Sequence, residues 1–290
     1  MELSSQSYDK IKNFINKSNK DKNLEFELRF IDKNISKKVF ENIFNKLTFS
    51  KLNNGLEFKY DMINNLDVFI KNENNKKSRM TLLNESTIKK YWLGLEPEEK
   101  DILLIEKEKI ENYDDKDYNF RLSLNKELNK DKFLEKNKLI LKSNNSNKFY
   151  RLKNRYSIKS NDNLFSFDLS IIKQGYGLNL KTSKTLESIA TYEIEIEYNN
   201  KESNKLSVEE ITNRFIKFMY NILSEINNTN ILIKNDIKEK IINNYLNLIN
   251  LKRNENNFIA AKPRTLHKFN LVKSEQKNLY NRYAVTLKAD

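Results

Sequence analysis

The sequence predicts an α+β protein built mainly of antiparallel strands, closed around a charged interior and flanked by helices. Three observations predict this. Apolar and polar residues alternate through most of residues 56–198, the period of a β-strand. Within single strands the polar positions carry one sign of charge. Glu193, Glu195 and Glu197 share a face opposite Tyr192, Ile194, Ile196 and Tyr198, while Arg151, Lys153 and Arg155 share a face of another strand. Solvent faces mix Lys, Glu, Thr and Gln loosely. Faces sorted by sign fit the inside of a closed sheet, with basic walls for phosphate and an acidic wall for metal. Finally, apolar stripes of helical period stand before and after the alternating region.

Along the chain, residues 6–18 read as an amphipathic helix with Tyr8, Ile11, Phe14 and Ile15 on one side. Residues 24–30 form a first strand, with Glu25, Glu27 and Arg29 on one face and Leu24, Phe26, Leu28 and Phe30 on the other. A helix over 36–47 starts at Ser36, a natural N-cap, and buries Val39, Phe40, Ile43, Phe44 and Leu47. Further strands are expected at 57–62, 66–70, 78–83, 89–93, 103–110, 118–124, 148–158, 164–171 and 190–198, separated by Asn- and Asp-rich breaks. Lys107 and Lys109 share a face with Ile105, Arg121 and Ser123 alternate with Phe120, Leu122 and Leu124, and Asp168 and Ser170 alternate with Phe167, Leu169 and Ile171. Ser207 and Glu210 spell a capping box that opens a helix over 207–224, with Ile211, Phe215, Phe218, Met219 and Ile222 on one face. These helices are read as scaffold, Trp92 as packing and His267 as a surface residue.

Composition narrows the chemistry. The chain has 290 residues and a formal net charge of +13, which suits a polyanionic partner such as nucleic acid or polyphosphate. A lysine-rich solvated surface accounts for part of that excess. With no cysteine, disulfides and thiolate metal sites are excluded, and with His267 the sole histidine, a histidine-based zinc site or triad is disfavoured. Any metal must be held by oxygen. Two rows of carboxylates brought side by side repel one another unless a cation lies between them. An all-oxygen site of this kind suits a hard divalent ion. The N-terminal residues carry no apolar signal core and no run is long enough to span a bilayer, so the protein is expected to be intracellular, with no membrane partner.

The order of these motifs resembles a known family. The pair Glu25 and Glu27 early and the trio Glu193, Glu195 and Glu197 late, with Arg79, Lys107, Arg121 and Glu127, Lys153 and Arg155, and Asp168 in sequence between them, resemble the tunnel-type, metal-dependent RNA 5′-triphosphatases. These form the first module of mRNA capping enzymes in large DNA viruses, with a separate version in fungi. The resemblance covers about residues 20–200 and implies a closed eight-stranded triphosphate tunnel. Ser166 stands where the family often has a basic residue, and Arg29 stands where related triphosphate hydrolases carry Lys.

The implied reaction removes the γ-phosphate from a 5′-triphosphate RNA. Glu25, Glu27, Glu195 and Glu197 would hold Mg²⁺ or Mn²⁺, with Glu193 completing the acidic wall. Glu127 and Glu195 are candidates to orient or deprotonate the attacking water. Arg79, Lys107, Lys153 and Arg155 would clamp the triphosphate. Asp168 is expected to hold a neighbouring Arg or Lys, while Arg29 and Arg121 stay open between clamp and structural partner. Nucleoside triphosphates are possible substrates, and a regulatory or methyltransferase partner is undefined. The resemblance also implies a viral protein of the host cytoplasm or the virion. Residues 1–230 would form the triphosphatase domain. Residues 231–290 would be a linker and the truncated start of a guanylyltransferase-like domain, with Lys288 of Lys288-Ala-Asp290 as its nucleophile. Two other readings compete: a tunnel enzyme for inorganic polyphosphate or a small triphosphate, and a non-catalytic RNA-binding β domain.

Overall fold

A computed structural model describes residues 3–31, 35–49, 60–71, 77–129, 147–202 and 206–248. Among the described residues eight strands are formed: β1 (Leu24–Phe30), β2 (Tyr60–Lys71), β3 (Lys77–Leu83), β4 (Ile102–Asp115), β5 (Phe120–Asn129), β6 (Lys148–Lys159), β7 (Phe165–Gly177) and β8 (Thr191–Tyr198). All pairings are antiparallel, in the order β1-β5-β4-β3-β2-β6-β7-β8, and β8 pairs back onto β1. The described residues also form five α-helices: α1 (Ser5–Lys20), α2 (Lys37–Phe49), α3 (Glu85–Trp92), α4 (Val208–Asn227) and α5 (Asn235–Leu248). The chain divides between Leu232 and Ile233 into two compact units, the first holding the sheet and α1–α4, the second α5.

The hydrophobic core lies outside the barrel. Phe26 and Leu28 of β1, Leu122 and Leu124 of β5, Phe167 and Leu169 of β7, and Ile194 and Ile196 of β8 are fully buried beneath Ile11 and Phe14 of α1, Phe40 and Ile43 of α2, and Phe215 and Met219 of α4. Phe26 and Phe215 meet at 5.0 Å between ring centroids. Each such side chain contributes roughly 1.5–3 kcal/mol by leaving water, which compensates for a sheet whose inner face is polar. A second apolar cluster, Leu66 and Val68 of β2, Met80 and Leu82 of β3 and Tyr150 of β6, is covered by Ile88 of α3 and by Leu180.

Local signals behave as their chemistry requires. Ser207 and Glu210 form the reciprocal capping box of α4. At the head of α1, the buried Ser7 hydroxyl donates to Asp115 at 2.5 Å, and Asp115 accepts from the Tyr118 backbone N–H, tying the β4–β5 turn to the helix. In β4 the register slips by one residue between Lys109 and Glu111, a β-bulge. The bulge exchanges faces. Lys107 and Lys109 precede it on the inner face, but Glu111 follows it on the outer face, where Lys10 and Lys17 of α1 hold its two carboxylate oxygens at 2.6 and 2.7 Å.

Two sequence expectations are corrected. Residues 89–93 lie in and just after helix α3 rather than in a strand: Asn84 caps its N-terminus by accepting from the Thr87 N–H, and the apolar residues Ile88 and Tyr91 recur at helical rather than strand spacing. The separate strands at 57–62 and 66–70 are joined in one strand over its described part, because Asn64 and Asn65 stay in the ladder opposite Asn154 and Lys153 instead of turning. Trp92 is 39% exposed with the Lys181 ammonium 4.8 Å above its ring, and His267 lies outside the described residues.

Candidate active site

Period-two alternation aims one row from each strand into the barrel. There, Glu25, Glu27 and Arg29 of β1, Asn65 and Asp67 of β2, Arg79 and Thr81 of β3, Lys107 of β4, Lys153 and Arg155 of β6, Asp168 of β7, and Glu195 and Glu197 of β8 line a cavity of 260 Å³. Glu27 stands directly opposite Glu197 in the β1–β8 register, and Arg29 opposite Glu195.

Ion pairs organise the walls. Glu195 is fully enclosed, paired with Arg29 through both its Nε (2.6 Å) and its terminal nitrogen, and with Arg155 at 3.2 Å. Burial alone raises its carboxyl, but Arg29, Arg155 and Lys153 outweigh burial and bring it to about 2. Arg155 also donates to Asp168 at 2.6 Å and to the Ser170 hydroxyl at 3.2 Å. Lys153 meets Asp67 at 2.8 Å, and Asp67 in turn accepts from the Thr81 hydroxyl at 2.7 Å. Burial, with Arg151 and Arg155 nearby, lowers the Lys153 ammonium despite that pair. The Nε of Arg79 is buried and has no hydrogen-bond partner.

The opposite end of the acidic wall differs. Lys107 donates to both oxygens of Glu25, at 2.7 and 3.0 Å, and lies 3.9 Å from Glu27. Burial, then Glu195, raise the Glu27 carboxyl. Burial, Glu25 and Asp168 push that of Glu197 up to about 8. Among the described residues, Glu197 has no cation within 4.0 Å. No three carboxylates among the described residues converge on one point as they stand. The donor set nevertheless fits a hard divalent cation: it is all oxygen, its members adjoin on neighbouring strands, and two of them, Glu27 and Glu197, are raised by burial and by neighbouring carboxylates.

Two sequence-derived site residues lie elsewhere. Arg121 does not line the cavity; it faces Arg29 across the ladder, and its guanidinium is held by Asp114 at 2.6 and 2.8 Å. Glu193, one pleat repeat before Glu195, also leaves the cavity lining and pairs with Arg151. Lys107 and Lys153 do line the cavity, each already engaged by a carboxylate, and Arg29 is the partner of Glu195. Glu127 pairs with Lys107 in the β4–β5 register, but its side chain is outside the described residues, as is Lys288. Asp67, Asn65 and Thr81 were not singled out from sequence. The signal was present, since Asn65 and Asp67 alternate with the buried Leu66 and Val68.

No family model matches the sequence, and no curated protein matches it. Solved structures do match. Two structures of the mimivirus capping enzyme triphosphatase align with TM-scores of 0.56 and 0.55, each at 20% identity, over 77% and 78% of this chain and 99% and 100% of theirs. The S. pombe Pct1 RNA triphosphatase aligns with a TM-score of 0.50 at 14% identity, over 78% of this chain and 94% of its own. At these identities the likeness establishes a shared fold.

Proposed function

We propose that this chain is a metal-dependent RNA 5′-triphosphatase, removing the γ-phosphate from a 5′-triphosphate RNA end in the first step of mRNA capping. The observation that carries this reading is a cavity with Glu25, Glu27 and Glu197 on one wall and Arg79, Lys153 and Arg155 around the rest, in a fold shared with a solved capping enzyme triphosphatase and a solved RNA triphosphatase. Fold alone does not assign a reaction. The arrangement of charges inside this one does favour phosphoryl chemistry, since it answers both halves of a phosphate–metal pair.

Mg²⁺ or Mn²⁺, held by Glu25, Glu27 and Glu197, would polarise a γ-phosphate oxygen and offset the charge that develops there. The protein's own groups do the rest. Arg155 presents a guanidinium whose orientation is fixed by Asp168, Ser170 and Glu195. A fork held in advance loses little on meeting phosphate. Arg79 brings an Nε still in need of an acceptor. Lys107, which meets Glu25, would turn to phosphate where that carboxylate held a cation. Lys153, held by Asp67, stands beside Arg155 in the basic wall. Glu195 acts through Arg29 and Arg155 as a positioning residue and is less suited to ligating metal than Glu197. Glu127 remains the proposed partner of the attacking water. Residues 231–290 are proposed as a linker and the start of a guanylyltransferase-like domain, with Lys288 as its nucleophile.

The test is phosphate release from γ-labelled triphosphate RNA with Mn²⁺, Mg²⁺ or EDTA, beside ATP and tripolyphosphate. Metal-dependent release from RNA, lost in Glu27→Ala, is expected. Cleavage of tripolyphosphate alone would move the protein to the small-substrate class. No release with any metal would end the reading.

A further inference from the structure

The inner face of the barrel carries one row of aromatic rings. Phe69 of β2, Phe149 of β6 and Tyr176 of β7 stand directly opposite one another in register, and Arg79 of β3 stands opposite Phe69. Two-residue spacing puts Phe69 on the face of Asn65 and Asp67, Phe149 on that of Arg151 and Lys153, and Tyr176 on that of Asp168 and Ser170. The rings follow in series: Phe69 and Phe149 are 5.6 Å apart at 39°, and Phe149 and Tyr176 are 4.6 Å apart at 33°.

This row is a ramp. At its inner end Arg79 lines the charged cavity, with a buried Nε that lacks a hydrogen-bond partner. At its outer end Tyr176 is 72% exposed. The direction of Tyr176 is fixed by its neighbours. A Cβ on Gly175 would lie 2.3 Å from the Ser183 carbonyl oxygen, and one on Gly177 would lie 2.5 Å from the Ser183 nitrogen. The segment around Ser183 therefore packs on the outer face of β7, and Tyr176 between the glycines projects to the inner one. Core packing does not account for the row, because both apolar clusters lie on the outer face and include none of the three rings. Rings in series, half-buried at Phe69 and Phe149 and exposed at Tyr176, beside a guanidinium whose Nε lacks a partner make a surface for a flat, apolar-faced group attached to an anion.

We infer that Phe69, Phe149 and Tyr176 form a stacking platform for the base of a 5′-triphosphate nucleotide, with Arg79 taking a phosphate where the chain turns into the cavity. The inference rests on the triphosphatase reading and deepens it by giving the substrate a direction: base at the β2–β6–β7 rim, triphosphate toward Glu25, Glu27 and Glu197. Stacking on aromatic rings is tolerant of base identity, as an enzyme acting on RNA ends of varied sequence requires. Inorganic tripolyphosphate has no base and draws nothing from the platform.

The test compares kcat/KM for triphosphate-ended RNA, ATP and tripolyphosphate in wild type, Tyr176→Ala and Tyr176→Phe. The alanine variant is expected to lower the RNA-to-tripolyphosphate ratio about tenfold, through KM, with ATP falling alongside RNA and with phenylalanine restoring both. Equal loss on all three substrates, or on none, overturns the platform. Loss on RNA with ATP unchanged overturns the assignment to the terminal base. A second measurement separates this inference from its premise: binding in EDTA of a short triphosphate-ended RNA and of the same RNA with an abasic first nucleotide. Base-dependent binding, absent in Tyr176→Ala, sustains the platform even if no phosphate is released. Hydrolysis without any base preference leaves the triphosphatase reading standing and removes the platform.

Discussion

Glu195 and Glu197 sit two residues apart on the same face of β8, and their surroundings are opposite. Around Glu195, Arg29 and Arg155 supply more positive charge than one carboxylate can use, and it ionises at about 2. Around Glu197, burial, Glu25 and Asp168 leave negative charge in excess, and its carboxyl is held up at about 8. Glu195 is buried and Glu197 half-buried, and burial raises both carboxyls, so burial does not account for their opposite shifts. The supply of cations does. The difference teaches that one acidic strand can serve two purposes within a single pleat repeat: at Glu195 it braces the basic wall, and at Glu197 it presents the carboxyl proposed to meet a metal ion.

The comparison predicts opposite consequences for the same change. Glu197→Gln is expected to lower metal-dependent phosphate release on the order of 10²–10⁴, as loss of a group that acts on developing charge should, while leaving the fold intact. Steady-state rates beside a thermal melt check it; near-wild-type rates would erase the distinction. Glu195→Ala is expected to strike the fold first, by about 1–3 kcal/mol in urea unfolding, because it takes from Arg29 its close carboxylate while Arg155 keeps Asp168. A stable Glu195→Ala protein that has merely lost metal affinity would put Glu195 back among the metal ligands.

A pH series sharpens the contrast. A carboxyl raised in the folded state contributes most stability below its unfolded value and loses it as pH rises through the folded one. For Glu197 that window runs from 4.5 up to about 8, and Glu27 is raised in the same sense. A lowered carboxyl contributes above its unfolded value and loses stability as pH falls, which for Glu195 runs from 4.5 down to about 2. The metal-free protein should therefore lose melting temperature on both sides of about pH 4.5. Only the upper limb should flatten with Mn²⁺ or in Glu197→Gln, and an upper limb insensitive to both would contradict the account. The smallest effect is expected from Arg155→Lys, which keeps the charge but loses the fork spanning Asp168, Ser170 and Glu195. A fall of roughly tenfold in kcat with little change in melting is the expected result.

Much of this was legible beforehand because a strand's period is simple. The β1 and β8 rows, the basic β6 row and the capping box at Ser207 could be read from spacing alone, and they carry most of the cavity. What could not be read depends on partners distant in sequence. Nothing local says that Asp67 takes up Lys153, that Glu193 is drawn to Arg151, or that Arg121 turns to Asp114. Those pairings follow from register, which only the closed ladder sets. Asn64 and Asn65 imitate a turn, and residues 89–93 imitate a strand, because short windows do not contain the helix cap at Asn84 or the partner strand β6.

The bulge in β4 works like a shift of reading frame. Before it, odd-numbered residues look inward; after it, Asn112 and Asp114 lie opposite Ser123 and Arg121 on the inner side. Removing Ile110 would smooth the ladder without changing any later face: Glu111 would stay opposite Leu124 and Asp115 opposite Phe120. Helix α1 would keep the anchors that Lys10, Lys17 and Ser7 find in Glu111 and Asp115. The deletion variant should therefore melt close to wild type, and a large fall in melting temperature would refute the frame argument. Whether a carboxylate of this strand becomes a helix tether or part of the tunnel interior is thus set by a residue that takes no partner in the ladder.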